Sequence, residues 1–149
     1  MHTEGEEFEP PRVHLVMLLV KTKLSRSKID GIGVFAAQFI SKGTVVQKFI
    51  SGIDIEIESE KLYSLPVIEK EYILHYTYRH KITNKYVLCS DDARFLNHSE
   101  TPNLISDSLN EEIDVAARDI QEGEELTVNY KDFDADWNYK LLGTNKDRQ

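Results

Sequence analysis

Apolar residues along this chain gather in short runs separated by glycines, prolines and charged turns, the pattern of a protein assembled from brief strands. Residues 12–24 are apolar and partly β-branched, which predicts a buried strand. Residues 25–33 are polar, carry Gly31 and Gly33, and read as a turn or loop. Strands are expected over 34–40 and 44–57, broken at Lys42-Gly43 and Ser51-Gly52. In the second, Ile53, Ile55 and Ile57 alternate with Asp54, Glu56 and Glu58, the period of a half-buried strand. Pro66 suits the first turn of a short helix running to about His75. A short apolar strand is expected over 86–89, whereas 91–102 is too polar and turn-prone for regular structure. Residues 113–120 and 126–130 read as strands parted by Gln121-Glu122-Gly123. The fold class is therefore mainly β, several small antiparallel sheets with short helices. Residues 1–11 are expected to be a flexible acidic lead-in, 12–137 a single domain and 138–149 a tail.

Composition narrows the function classes. The 149 residues make one domain, enough for a single main core and too few for two independent ones. Eighteen Lys and Arg against 26 Asp and Glu leave a net charge of −8, so no direct nucleic-acid binding is expected. The single cysteine, Cys89, rules out an internal disulfide framework and a cysteine-built zinc site. The longest apolar run, residues 15–20, is far too short to span a bilayer, so no membrane partner is expected. An intracellular protein, cytoplasmic or nuclear or nucleoid-associated, fits these traits, as monomer or homodimer. The charge is also unevenly placed: residues 100–136 hold twelve acids against Arg118 and Lys131, and residues 12–48 hold seven bases against Asp30. An acidic surface of that kind attracts a basic partner, although charge runs often only solubilise.

The histidines at 2, 14, 75, 80 and 98 do not pair at ligand spacing on one helix face, so no metal is expected. Cys89, or Ser99 beside His98, offers the ingredients of a hydrolase, yet no nucleophile sits in a Gly-x-Ser-x-Gly elbow. Gly31-Ile32-Gly33 is a lone Gly-x-Gly, usually a turn, that equally permits close backbone approach to a flat ligand. The densest segment is Arg94-Phe95-Leu96-Asn97-His98-Ser99. Its apolar pair would anchor the loop while amide, imidazole and hydroxyl groups stand side by side. Taken alone, it reads more readily as a buried turn satisfying its own backbone.

Four blocks together resemble the SET-domain protein lysine methyltransferases. They are Gly31-Ile32-Gly33-Val34-Phe35-Ala36, Arg94-Phe95-Leu96-Asn97-His98-Ser99, Ala117-Arg118-Asp119-Ile120 and Gly123-Glu124-Glu125-Leu126-Thr127-Val128-Asn129-Tyr130, in the family's order. The Asn-His-Ser block with Gly-Glu-Glu-Leu-Thr-x-x-Tyr downstream is the specific part. The resemblance implies a SET-domain, β-clip-like fold over 12–137, with a C-terminal segment threaded under a loop. It implies S-adenosyl-L-methionine as methyl donor and a protein lysine as acceptor. The backbone around Ile32, Gly33 and Val34 should hold the donor's methionine end. Arg94, Phe95, Asn97 and His98 should hold its carboxylate, amino and adenine groups, with Phe133 and Trp137 over the adenine. Tyr130 is the expected catalytic tyrosine and also contacts the donor. Tyr76, preferred to Tyr72 and Tyr78, and Val128 should line the substrate channel. Without flanking cysteine-rich modules in this sequence, the resemblance is to compact bacterial and viral members.

Methyl transfer from a sulfonium needs a neutral amine, and keeping a lysine neutral at pH 7 costs roughly 4–5 kcal/mol given its pKa of about 10.4. No strong base is evident, and a nearby positive sulfur disfavours the ammonium form. Alignment can contribute several kcal/mol more. The acidic stretch suits a basic lysine-containing protein or peptide, such as a histone tail, as substrate. A catalytically inactive cofactor- or peptide-binding module is the alternative, and the joint presence of Asn97, His98 and Tyr130 argues for the active enzyme.

Overall fold

A computed structural model describes residues 18–142. Short strands form four small sheets, because glycine turns and charged breaks end each apolar run after a few residues. β1 (Thr22–Arg26) and β2 (Ile32–Ala36) make an antiparallel hairpin, closed where Ser27 N–H donates to the Gly31 carbonyl at 2.8 Å. Gly31 takes φ +47°, a left-handed turn position that favours glycine. β3 (Val45–Lys48), β8 (Leu104–Asp107) and β9 (Asn110–Ala116) form an antiparallel sheet with β9 central. β4 (Ile55–Ile57), β5 (Thr77–Arg79) and β6 (Tyr86–Leu88) form another with β6 central. The fourth sheet is parallel and has two residues per strand: β7 (Asn97–His98) beside β10 (Thr127–Val128). Among the described residues there are three helices: α1 (Ser59–Tyr63), α2 (Val67–Tyr76) and α3 (Trp137–Leu142).

The main core lies between the hairpin, the three-stranded sheet around β9 and the parallel pair. It is centred on Val34, Ala36, Ile40, Val46, Leu104, Ile120 and Leu126. Each such Val, Leu or Ile side chain contributes roughly 1.5–3 kcal/mol by leaving water. Ile40 and Ile120 exchange backbone hydrogen bonds at 2.9 and 2.7 Å, tying the hairpin's exit to the end of the Ala117–Ile120 block. A second, smaller core of Leu62, Leu74 and Tyr86 sits under the helices.

Several sequence expectations are corrected. The buried strand over 12–24 is, in its described part, a buried connection at Leu18 and Val20 leading to a mostly exposed β1; residues 12–17 lie outside the described residues. Leu18 donates to a buried Asp91 carboxylate at 3.0 Å instead of to a ladder. The loop of 25–33 is shorter, since both its ends join the hairpin. The strand of 34–40 starts earlier and stops at Ala36, and that of 44–57 divides between two sheets. There the inward residue is Asp54, not an isoleucine: its carboxylate accepts from Ile50 N–H and Ser90 N–H at 3.0 and 3.1 Å, while Ile55 is 49% exposed. One near and one distant backbone N–H, 4 and 36 residues from Asp54, have outcompeted the apolar alternation. The strand of 113–120 runs over β9 instead, and 126–130 keeps only two paired residues before a 3₁₀ turn over Tyr130–Asp132. Residues 91–102 contain a 3₁₀ turn (Asp92–Phe95) as well as β7. β8, α1 and α3 were not expected. The helix after Pro66 and the strand starting at Tyr86 are where the pattern placed them.

Candidate active site

The site is assembled where the parallel pair meets the hairpin, and side chains do most of the fastening. The Asn97 amide donates to the Asp30 carbonyl (3.0 Å), the Ile32 carbonyl (3.2 Å) and a Glu125 carboxylate oxygen (3.0 Å). An amide has two N–H groups, so one is shared. Glu125 in turn accepts from the Ser27 hydroxyl at 2.8 and 2.9 Å. Gly33 passes directly against this carboxylate, and a Cβ there would collide with it. Glycine is thus required for close approach, not for its backbone angle. On the other side, buried Asn103 donates to the Glu125 carbonyl and accepts from Thr127 N–H, both at 2.8 Å, which clamps the incoming β10.

Tyr130 follows β10 and is held from both ends. Its backbone N–H donates to His98 Nδ1 at 3.1 Å, and its hydroxyl donates to the Leu96 carbonyl at 2.7 Å. With Nδ1 accepting, His98 carries its proton on Nε2, which faces Glu100 at 3.3 Å. Burial pushes the Tyr130 phenol above its ordinary pKa, reinforced by the carboxylates of Asp30, Asp134 and Glu125. The group therefore stays a neutral hydroxyl at physiological pH and acts as a hydrogen-bond donor and positioner, not a base.

Two cavities meet at this residue. One, of about 890 Å³, is walled by Asp30, Gly31, Ile32, Phe95, Asn97 and the face of α2. The other, of about 500 Å³, lies over the sheets and is lined by Glu56, Thr77, Tyr78, Cys89, Glu112, Asp114, Val128 and Phe133 among others. His75, Tyr76, Arg94, Leu96, Tyr130 and Lys140 line both. The Arg94 guanidinium lies 5.6 Å from the Tyr76 ring centre and 5.0 Å from that of Phe95, cation–π contacts that build the shared wall. In the second cavity, burial pushes the Asp114 carboxyl up to about 6. Burial pushes the Cys89 thiol up to about 12, leaving it a poor nucleophile at neutral pH.

The sequence-selected residues fall into three groups. Ile32, Arg94, Phe95, Asn97 and Tyr130 line the larger cavity, and Tyr76 and Val128 line the smaller. Phe133 also faces the smaller cavity, packed edge-on to Tyr78 and Tyr130 at 4.9 and 6.0 Å. Gly33, Val34, His98 and Trp137 line neither: Val34 is fully buried core, His98 supports Tyr130 from behind, and Trp137 meets the Lys131 ammonium at 5.2 Å. Tyr72 is 64% exposed, while Tyr78 lines the smaller cavity beside Tyr76. Sequence reasoning assigned no role to Glu125, Asn103, Asp134 or Lys140. Glu125 and Asn103 lay inside or beside the quoted blocks; Asp134 and Lys140 carried no local signal.

The SET domain family matches residues 31–131 of this chain. The chain is 34% identical over 126 residues to histone-lysine N-methyltransferase 2D of Homo sapiens, covering 76% of this chain and 2% of that protein. It is 31% identical over 129 residues to histone-lysine N-methyltransferase trr of Drosophila melanogaster, covering 79% and 5%. It is likewise 31% identical over 122 residues to the H3 lysine-4 specific histone-lysine N-methyltransferase of Schizosaccharomyces pombe, covering 70% and 12%. The chain thus spans only 2–12% of the length of these relatives. Among solved structures, its fold is like that of a candidate histone methyltransferase from Plasmodium falciparum (TM-score 0.52, 23% identity, 74% of this chain and 93% of that one). It is also like that of a humanized mutant of Polycomb Repressive Complex 2 from Chaetomium thermophilum bound to an inhibitor (TM-score 0.55, 22% identity, 80% and 16%). The hairpin glycine seated on Glu125, the Asn97 clamp and the doubly held Tyr130 all lie within the matched residues 31–131, and this chain belongs to the SET-domain family.

Proposed function

We propose that this protein transfers a methyl group from S-adenosyl-L-methionine to the side-chain amine of a lysine in a basic protein segment. The observation that carries the reading is the pair of cavities sharing a wall at Tyr130, one for each reactant. The larger cavity suits the donor: about 890 Å³ lies within the usual range of roughly 300–1,000 Å³ for small-molecule sites. Its lining offers the exposed backbone of the Gly31 turn, the Arg94 guanidinium for a carboxylate and the Phe95 ring for a flat face. Asn97 has its amide N–H groups committed to the turn, so it shapes the donor site from behind. Gly33, Val34 and His98 act the same way, and Phe133 and Trp137 bear on the site only through their neighbours or by movement of the C-terminal segment. When bound, the donor supplies an electrophilic methyl group on a sulfonium centre.

The smaller cavity suits the acceptor. Glu56, Glu112 and Asp114 draw a basic peptide toward it. At the throat, Tyr76, Leu96, Val128 and the Tyr130 ring supply the apolar part of a wall that also carries Arg94 and Lys140, and partial desolvation beside these like charges favours a neutral amine over an ammonium. The size of Val128 then governs how much room the amine has to turn between successive methylations. No base is needed in the passage, since the proton can leave to water through the acidic mouth.

The test is incubation with labelled methyl donor and a panel of lysine-containing basic peptides, read by mass spectrometry as added methyl groups on lysine. Incorporation that depends on both lysine and Tyr130 supports the reading. Peptide and donor binding without any transfer would establish a binding module instead.

A further inference from the structure

Among the described residues, one sheet edge is both long and regular. The outer strands β4 and β5 have three residues each, β7 and β10 have two, and the pairings of β3 and β8 with β9 are broken by register shifts. β1 runs five residues in unbroken register with β2. The far side of β2 is already taken: Leu126 N–H donates to the Val34 carbonyl at 2.8 Å, and Ala36 N–H donates to the Glu124 carbonyl at 2.9 Å. The outer side of β1 has no such neighbour among the described residues. At the two ends of the hairpin, Ala37 N–H donates to the Lys21 carbonyl (2.9 Å) and Ser27 N–H to the Gly31 carbonyl (2.8 Å). These bonds put the odd-numbered residues of β1 in the bonded pairs, so the N–H and C=O groups of Thr22, Leu24 and Arg26 point outward.

This edge is also cationic. Lys21, Lys23, Arg26 and Lys28 are all exposed, and none of them is ion-paired among the described residues. Lys21 and Lys23 share one face, about 7 Å apart along the strand. Leu24, 39% exposed, lies on the other face with Arg26. We propose that the outer edge of β1 docks an extended acidic segment of a partner protein, which joins the hairpin as an added strand. The outward groups of Thr22, Leu24 and Arg26 supply the ladder, and the cations select the partner. Acids at alternate positions meet Lys21 and Lys23, while an apolar residue between them packs on Leu24. Exposed edges are commonly guarded by bulges, proline or charge. Here there is neither bulge nor proline, so charge is the guard, and opposite charge lifts it. A second copy of β1 is disfavoured, since it would bring the same four cations together. A nucleic acid would answer the charge but leave the ladder groups unused. The surface is separate from the acceptor role proposed for the smaller cavity, which none of these residues lines. It extends the hairpin whose turn, through Asp30, Gly31 and Ile32, walls the larger cavity.

The test uses the full chain, isotope-labelled, with amide hydrogen exchange read by NMR. The probes are the peptide Glu-Val-Glu-Val-Glu-Val-Glu, its counterpart with lysine in place of glutamate, the acidic peptide N-methylated at every residue, and a short thymidine oligonucleotide. The acidic peptide is expected to slow exchange of the Thr22, Leu24 and Arg26 amides about tenfold, leaving those of Lys23 and Ser25, already paired with β2, unchanged. The lysine and N-methylated peptides should protect none of them. By calorimetry, Lys21→Glu combined with Lys23→Glu should weaken acidic-peptide binding about tenfold or more. Added salt should weaken it in the wild type. If the double variant does not fold, the wild-type exchange pattern with the three peptides decides. Acidic-peptide binding that leaves the three amides unprotected overturns the inference, as does equal binding of the acidic and lysine peptides. No binding of the acidic peptide also overturns it and makes the cations guards against pairing. Protection of the same amides by self-association, seen in sedimentation without peptide, overturns it in favour of a second copy. Binding of the oligonucleotide alone overturns it in favour of a phosphate-binding strip. None of these outcomes bears on methyl transfer to lysine peptides, by which the proposed function is judged.

Discussion

The two cavities flank one tyrosine yet are built by different means. The larger is held by polar ties between distant segments: Asn97 to the 30–32 turn, Ser27 and Asn97 to Glu125, and Tyr130 to His98 and Leu96. The smaller is made from the surfaces of two sheets, with carboxylates on strands and an ammonium from the final helix. One side is therefore preorganised by specific side chain to backbone bonds, which tolerate little substitution. The other is shaped by packing and charge, which many sequences can supply. In a transferase that uses one donor and varied acceptors, rigidity and adaptability would be divided in this way.

The largest effect is expected at the shared wall. Tyr130→Phe should reduce turnover by about a hundredfold or more, the usual scale for losing one hydrogen bond matched to the transition state. Affinities for donor and peptide should change little, and stability should fall by about 1 kcal/mol for the lost hydrogen bond to Leu96. Steady-state kinetics with calorimetry separate these quantities, and retained turnover would remove Tyr130 from the chemistry.

Next comes the polar side. Asn97→Ala deletes ties to two carbonyls and a carboxylate, and should cost about 2–3 kcal/mol in urea unfolding, since bonds to charged groups lie at the strong end. It should weaken donor binding while leaving peptide affinity almost unchanged. Loss on both sides together would mean that the two cavities are a single mechanical unit.

A smaller, pH-dependent effect is expected on the acidic side. The folded protein holds the Asp114 proton more tightly than the unfolded chain does, because burial raises its pKa to about 6. From the ordinary carboxylate range up to about pH 6, the native state thus binds more protons, and this site's contribution to stability falls as pH rises. Above about 6 the carboxylate is charged, and basic-peptide affinity should strengthen through that value. Asp114→Asn should flatten both trends, in melting curves and in titrations from pH 4 to 8 (about the range spanning both states). An unchanged peptide profile would place the substrate's positive charge elsewhere.

The smallest effect is expected at Trp137, which touches neither cavity. Trp137→Ala should weaken donor binding by less than the roughly 1–3 kcal/mol of a stacked base. A full stacking loss would show that the C-terminal segment closes over the donor when it binds. Point substitution is the right instrument here. Cutting the chain after Lys131 would also remove Asp134 and Asp136, which are buried and paired with Lys140 and Arg79.

What the sequence determined was local and chemical. The Asn-His-Ser block and the Gly-Glu-Glu-Leu-Thr-x-x-Tyr block could be read directly because their residue types are needed at fixed backbone positions: an amide to span two carbonyls, a glycine at the left-handed turn of Gly123 (φ +93°), a tyrosine anchored at both ends. The helix after Pro66 could be read for a similar reason, since proline acts on its own neighbours. The alternation over residues 53–58 misled, because the burial of Asp54 was decided by the N–H groups of Ile50 and Ser90, the latter 36 residues away. The two-residue parallel pairing of β7 with β10, the acidic cavity and the Lys140–Asp134 ion pair were likewise left to tertiary structure. Lys140 meets Thr77 across 63 positions of sequence. An isolated lysine near the end of a chain has no pattern to distinguish it; only the folded path of the segment from Asp134 to α3 brings its ammonium beside Tyr130, where a buried carboxylate gives it a reason to stay.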